Sequence, residues 1–239
     1  MVTGFIAFFF NYHSAVAVLS TADLWPILLI NFVLGWLATF GHELSHAMAA
    51  YHRGAKVHKA GIGWYWVSAF AFVDTTEMWT KSKQARLEVN IAGVYFNFLM
   101  ASLLSLLSYF GIFSPFFVGL FWFFSFGSYL GVWANLSSIL EYDGYYCIMD
   151  ILNMPNLRGV SYVWMIEKFP KLFKGQNPCR GHFREVCYWC YSLMHLFISI
   201  AITQLIVIEI IWPIFGWVDT SNPYARILKI VMVECSTWL

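Results

Sequence analysis

Long apolar runs separated by short basic stretches set the pattern of this chain. Five runs approach or exceed the roughly 20 residues that a helix needs to cross a bilayer. They cover residues 3–20, 24–50, 90–110, 113–140 and 186–217. The first is the weakest, because Asn11 and His13 interrupt it. The second and fifth are longer than one crossing, so their ends must tilt or project into the interface. A further apolar stretch, 61–79, is too short for a span and has no helical stripe. Its Trp, Tyr, Val and Phe content predicts a β-hairpin, re-entrant or interfacial, although a membrane-surface loop is equally compatible. The pattern predicts an all-α polytopic membrane protein of about five transmembrane helices, with the hairpin following the second.

Composition sharpens this picture. Hydrophobic residues make up 60% and charged residues only 11% of the 239 positions, against about 25% charged in soluble domains. The net charge of +1 argues against a nucleic-acid partner, leaving the lipid bilayer as the surrounding medium. The chain has 12 Trp and 13 Tyr, residues suited to anchoring helices at membrane interfaces. No Lys or Arg precedes the first run, so it reads as membrane-embedded rather than as a cleaved leader. Arg53, Lys56, Lys59, Lys81, Lys83 and Arg86 lie between spans two and three. Arg158, Lys168, Lys171, Lys174, Arg180 and Arg184 lie between spans four and five, and only Arg226 and Lys229 fall on the opposite side. That bias predicts that both basic loops lie in the cytoplasm or its topological equivalent. No linker or repeat divides the chain, which reads as one multi-pass domain, 1–239, with a polar loop at 141–185 and a last span and tail at 186–239.

The chemistry sits at residues 42–46, His-Glu-Leu-Ser-His, inside the second span. Histidines four apart on a helix are offset by about 40° and rise about 6 Å, so both rings can reach one metal ion. Glu43 between them is placed to take a proton from water. Ionisable groups at membrane depth are costly and mark function. A hydrolytic zinc site needs a third protein ligand and an open position. Asp143, at the cytoplasmic end of span four, shares the depth of His42 and His46, and Gly144 beside it permits close approach of the backbone. Asn135 is suited either to stabilising an oxyanion or to an interhelical hydrogen bond.

These motifs resemble the site-2 protease family of intramembrane zinc metallopeptidases. That family joins HExxH on one span to Asn-x-x-Pro-x-x-x-Leu-Asp-Gly on a later one, and Asn135, Asp143 and Gly144 match at the same spacing. Ser138 stands where the family has Pro, and Tyr142 where it has Leu. Gly93-Val94-Tyr95-Phe96-Asn97 matches the family's Gly-Pro-x-x-Asn without its proline. The segments 72–75, 143–150 and 155–158, with Trp79, are similar to bacterial peptide zinc metalloproteases. The resemblance implies a catalytic core at about 24–155 and one catalytic Zn2+ held by His42, His46 and Asp143, with Glu43 as general base. It further implies substrate contacts at Gly93, Asn97 and Asn135. The implied substrate is a membrane-embedded or small precursor peptide, cleaved near the cytoplasmic face of a bacterial membrane, with a peptide-export or maturation partner compatible.

Other residues carry weaker signals. Cys179, His182, Cys187 and Cys190 have the residue types of a second zinc site, but their short middle spacing favours ordinary thiols. The five cysteines show no disulfide framework. His52 and His58 read as solvated loop histidines, Asn31 as a bond to a neighbouring helix, and Asp150 as either structural or cleft-lining. Two rival functions remain at this level: a catalytically silent relative that retains membrane peptides, and a zinc-binding transporter or sensor. The first expects a broken ligand set, and the second expects polar residues throughout several spans.

Overall fold

The computed structural model describes residues 1–21, 24–65, 68–138, 140–174 and 182–206. They form helices α1 (Val2–Phe10), α2 (Tyr12–Thr21) and α3 (Leu24–His52), then strands β1 (Ala60–Tyr65) and β2 (Ser68–Val73). A 3-10 turn at Thr76–Thr80 leads into α4 (Lys83–Phe110), α5 (Pro115–Leu136), α6 (Asp143–Leu152), α7 (Leu157–Phe173) and α8 (Phe183–Ile206). The chain divides into two compact units, Met1–Pro155 and Asn156–Leu239. Helices α3, α4 and α5 are long and apolar enough to cross a membrane, and α1 with α2 makes a fourth if that bent pair is one span. On α3, Trp25 and Phe32 are 73% and 67% exposed, which suits hydrocarbon rather than water around that helix. The fifth predicted span begins within α8, and its continuation at 207–217 lies outside the described residues.

Interruption of the first span by Asn11 becomes a 53° bend between α1 and α2. Polar groups freed at such a break need partners inside an apolar bundle. The Trp122 indole donates to the Phe8 carbonyl (3.1 Å), and Asn11 Nδ2 donates to Ser108 Oγ (2.6 Å), which donates in turn to Val118 O (2.9 Å). Phe8, Trp122 and Phe126 stack beside the bend. Small residues let α4 sit close to its neighbours. Ser102, Ser105, Ser108 and Ser125 are fully buried, and a Cβ on Gly4 would overlap the Ser102 backbone.

Strands β1 and β2 form an antiparallel hairpin with Ala60 opposite Val73, and β2 packs on α3. The hairpin is shorter than the 61–79 segment predicted from composition. Asp74 accepts from Thr76 N (3.0 Å), turning the chain into the 3-10 helix that carries Trp79. Gly54 (φ +70), eight residues past His46 and just beyond the end of α3, takes a left-handed backbone that favours glycine. Helix α5 stops at Leu136 without a proline: Ser137 is extended (ψ 129) and Ser138 is buried in the bend that follows. Val94 is buried inside an unbroken α4, so the helix break implied by a proline there is absent. In the second unit α7 packs on α8 through Ser192 Oγ to Ser161 O (3.0 Å) and a Trp164–Trp189 edge contact.

Candidate metal centre

Helix periodicity builds the first half of the centre. His42 and His46, one turn apart on α3, are both buried, and their Nε2 atoms face each other at 3.1 Å. The second half comes from α6. A Cβ on Gly144 would overlap the Leu136 carbonyl, so glycine there lets α6 begin tight against the end of α5. Asp143, in the first turn of α6, then reaches α3. Its Oδ2 lies 3.1 Å from His42 Nε2 and its Oδ1 lies 3.4 Å from His46 Nε2. The three candidate ligand atoms lie within 4.8 Å of one another, and no other such group of His, Cys, Asp and Glu occurs among the described residues.

The chemistry of this group fits a bound cation. His46 Nδ1 donates to the Val89 carbonyl (2.7 Å), which leaves the His46 Nε2 lone pair facing His42 and Asp143. Asp143 Oδ2, although 3.1 Å from His42 Nε2, is buried without a hydrogen bond in that geometry. Converging buried lone pairs repel unless a cation takes them up. Tetrahedral zinc with bonds of about 2.0–2.1 Å separates its ligands by roughly 3.3 Å, close to the 3.1–3.4 Å spacing here. Gly93 on α4 completes the cradle, since a Cβ there would stand 2.5 Å from both Nε2 atoms. The three side chains can hold a metal ion.

Glu43, half-buried on the same helix, lies close to His42, His46 and Asp143 and to the Val73 backbone at the end of β2. The glutamate therefore sits between the ligand group and the hairpin. Beside His46 and Asp143 opens a polar cavity of about 330 Å³, walled also by Asp74, Trp79, Arg86 and Asp150. Arg86 Nε donates to Asp150 Oδ1 (2.6 Å), and Asn90 Nδ2 donates to Asp150 Oδ2 (3.3 Å). Trp79 lies under the Arg86 guanidinium at 5.7 Å. Asp150 is thus both structural and cleft-lining. Lys83 Nζ donates to Ile151 O (2.8 Å) and Lys81 Nζ to Gly54 O (2.6 Å), while Arg53 pairs with Glu88. The first basic loop and the ligand group consequently share one end of the helices.

The remaining predicted residues, Asn97 apart, fall elsewhere. Asn97 packs its carboxamide on His42, with Nδ2 3.0 Å from Nδ1. Asn135 lines a separate cavity of about 460 Å³ between α3, α4 and α5, together with Asn31, Thr39 and Asn97. Asn31 donates to Ile27 O of its own helix (2.9 Å), not to a neighbouring helix as its sequence position suggested. A lone amide on a helix finds the carbonyl four residues back at no cost in packing. His58 pairs with Glu77 at the surface (3.2 Å), and His52 is exposed. His182, Cys187 and Cys190 belong to no converging ligand group among the described residues, and Cys179 lies outside them. The Val89 carbonyl and the Arg86–Asp150 pair were missed: a main-chain acceptor leaves no trace in residue identity, and Arg86 registered only as one loop cation. Comparison with protein-family models, with curated proteins and with solved structures finds no match to this chain.

Proposed function

We propose that this protein is an intramembrane zinc endopeptidase of the site-2 protease type, acting on a membrane-embedded or small precursor peptide. The observation that carries the proposal is the meeting of His42, His46 and Asp143 beside Glu43 on helices able to cross a bilayer. A bound Zn2+ would supply Lewis acidity, polarising a scissile carbonyl and acidifying water at neutral pH. Glu43 takes the proton of the attacking water and returns it to the leaving amine. Asp143 and the two imidazoles would hold the ion, and the Val89 carbonyl fixes the ring of His46. The polar cavity bordered by Arg86 and Asp150 would give water a path to the ligand group. Positive loop charge supports a cytoplasmic-side site in a multi-pass protein.

The intact ligand set favours this reading over a silent peptide-binding relative. The clustering of the ionisable groups at one end of α3, α4 and α6 favours it over a transporter, which would distribute them along a path. Metal content and cleavage test it together. Purified protein should carry about one zinc per chain; Glu43→Gln should keep the zinc and lose cleavage, while Asp143→Ala should lose the zinc. Cleavage retained by Glu43→Gln would remove the assignment of the base.

A further inference from the structure

The carboxamide of Asn97 presents an unresolved pairing beside His42. Its Nδ2 lies 3.0 Å from His42 Nδ1, while its Oδ1 is buried with no hydrogen-bond partner. If His42 offers Nε2 to a metal, its remaining proton sits on Nδ1, and that N–H requires an acceptor. An NH2 group facing it would set donor against donor and leave a carbonyl oxygen buried and alone. A half-turn of the carboxamide exchanges two ends of nearly equal size, removes the donor–donor opposition and gives Oδ1 the His42 N–H to accept.

We infer that Asn97 is a positioning residue for the metal centre, turning its Oδ1 to His42 Nδ1 and so holding that imidazole in the tautomer that bares Nε2. This rests on the metal-site reading above and deepens it. His46 already has the same arrangement through the Val89 carbonyl, at 2.7 Å. Val89 and Asn97 are about two turns apart on α4, and α4 lies against α3. One helix therefore supplies the outer acceptor for both ligating rings, one from its main chain and one from a side chain. Gly93, between them on α4, keeps the space in front of both Nε2 atoms clear. A ligating imidazole whose second nitrogen is so held is oriented before the metal arrives, and loss of such a partner typically weakens binding about 10–100-fold.

The test uses the full chain in detergent and reads zinc affinity by competition with a chromophoric chelator, with thermal melting as the check on folding. Asn97→Asp keeps an oxygen acceptor and removes the amide donor; Asn97→Leu has similar size and neither function. The expected result is zinc affinity near wild type for Asn97→Asp and a loss of about 10–100-fold for Asn97→Leu, both remaining folded. Equal losses in the two variants, with wild type binding zinc, would overturn the positioning role and leave the metal centre standing. Full affinity in Asn97→Leu would overturn it likewise. Wild-type protein that binds no zinc would remove the metal centre itself, and this inference with it.

Discussion

Replacing Gly93 by Ala places one methyl group at the centre of the proposed function. The added carbon would stand 2.5 Å from His42 Nε2 and from His46 Nε2, about 1 Å inside the roughly 3.5 Å at which packed atoms first attract. Neither side can yield cheaply. The methyl belongs to the backbone of α4, and the His46 ring is tied to the same helix through Val89 O at 2.7 Å. Restoring contact distance means moving the imidazoles by about 1 Å, several times the 0.2 Å within which metal–ligand distances hold. Two of three ligands are displaced, so zinc affinity should fall at least about 100-fold, or about 2.8 kcal/mol. Fold stability should fall by less, because the overpacking cost of about 1–3 kcal/mol is offset in part by the roughly 1 kcal/mol by which Ala suits a helix interior better than Gly. Chelator competition gives the affinity and a melting curve in detergent gives the stability. Wild-type zinc affinity in a folded Gly93→Ala protein would refute the convergence of both Nε2 atoms on one ion.

The Arg86–Asp150 pair and Cys147 give two further expectations. Arg86→Met leaves the Asp150 carboxylate, whose side chain is 5% exposed, with Asn90 alone; a loss of about 3–5 kcal/mol should follow. The double change Arg86→Met with Asp150→Leu should recover much of that, and equal melting of single variant and wild type would contradict the pairing. Burial, reinforced by the Asp143 and Asp150 carboxylates, pushes the Cys147 thiol up to about 11. Less than about one part in a thousand is then thiolate at neutral pH, so iodoacetamide should alkylate exposed Cys190 and spare Cys147, as read by mass spectrometry. Alkylation of Cys147 at the rate of Cys190 in folded protein would count against that environment.

Residue spacing made the candidate ligand group legible because a helix converts i, i+4 into a shared face, and His42 and His46 obey that conversion. Asp143 was legible for a different reason: few carboxylates lie near the apolar runs, and the basic loops implied which ends of the candidate spans coincide. The hairpin was foreseeable from β-prone composition, but not its end at Val73, because the turn is set by one Asp74–Thr76 hydrogen bond. Asn11 announced a weakness in the first span without showing that Trp122 and Ser108 would satisfy the resulting bend. Least legible were the contacts that orient the rings. The Val89 carbonyl carries no side-chain signature, and the roles of Gly93 and Asn97 depend on how closely α4 approaches α3. Such distances arise from packing between elements far apart in sequence, where residue identity alone gives no register.

The central claim is peptide hydrolysis that depends on Glu43 beside a three-ligand metal group. Its most direct test compares, by mass spectrometry, the membrane-associated peptides of cells producing the wild-type protein with those producing Glu43→Gln at equal abundance and equal zinc content. The account predicts an uncleaved precursor in the Glu43→Gln cells and its shortened product in the wild-type cells. Identical peptide profiles, with both proteins folded and zinc-loaded, would contradict it.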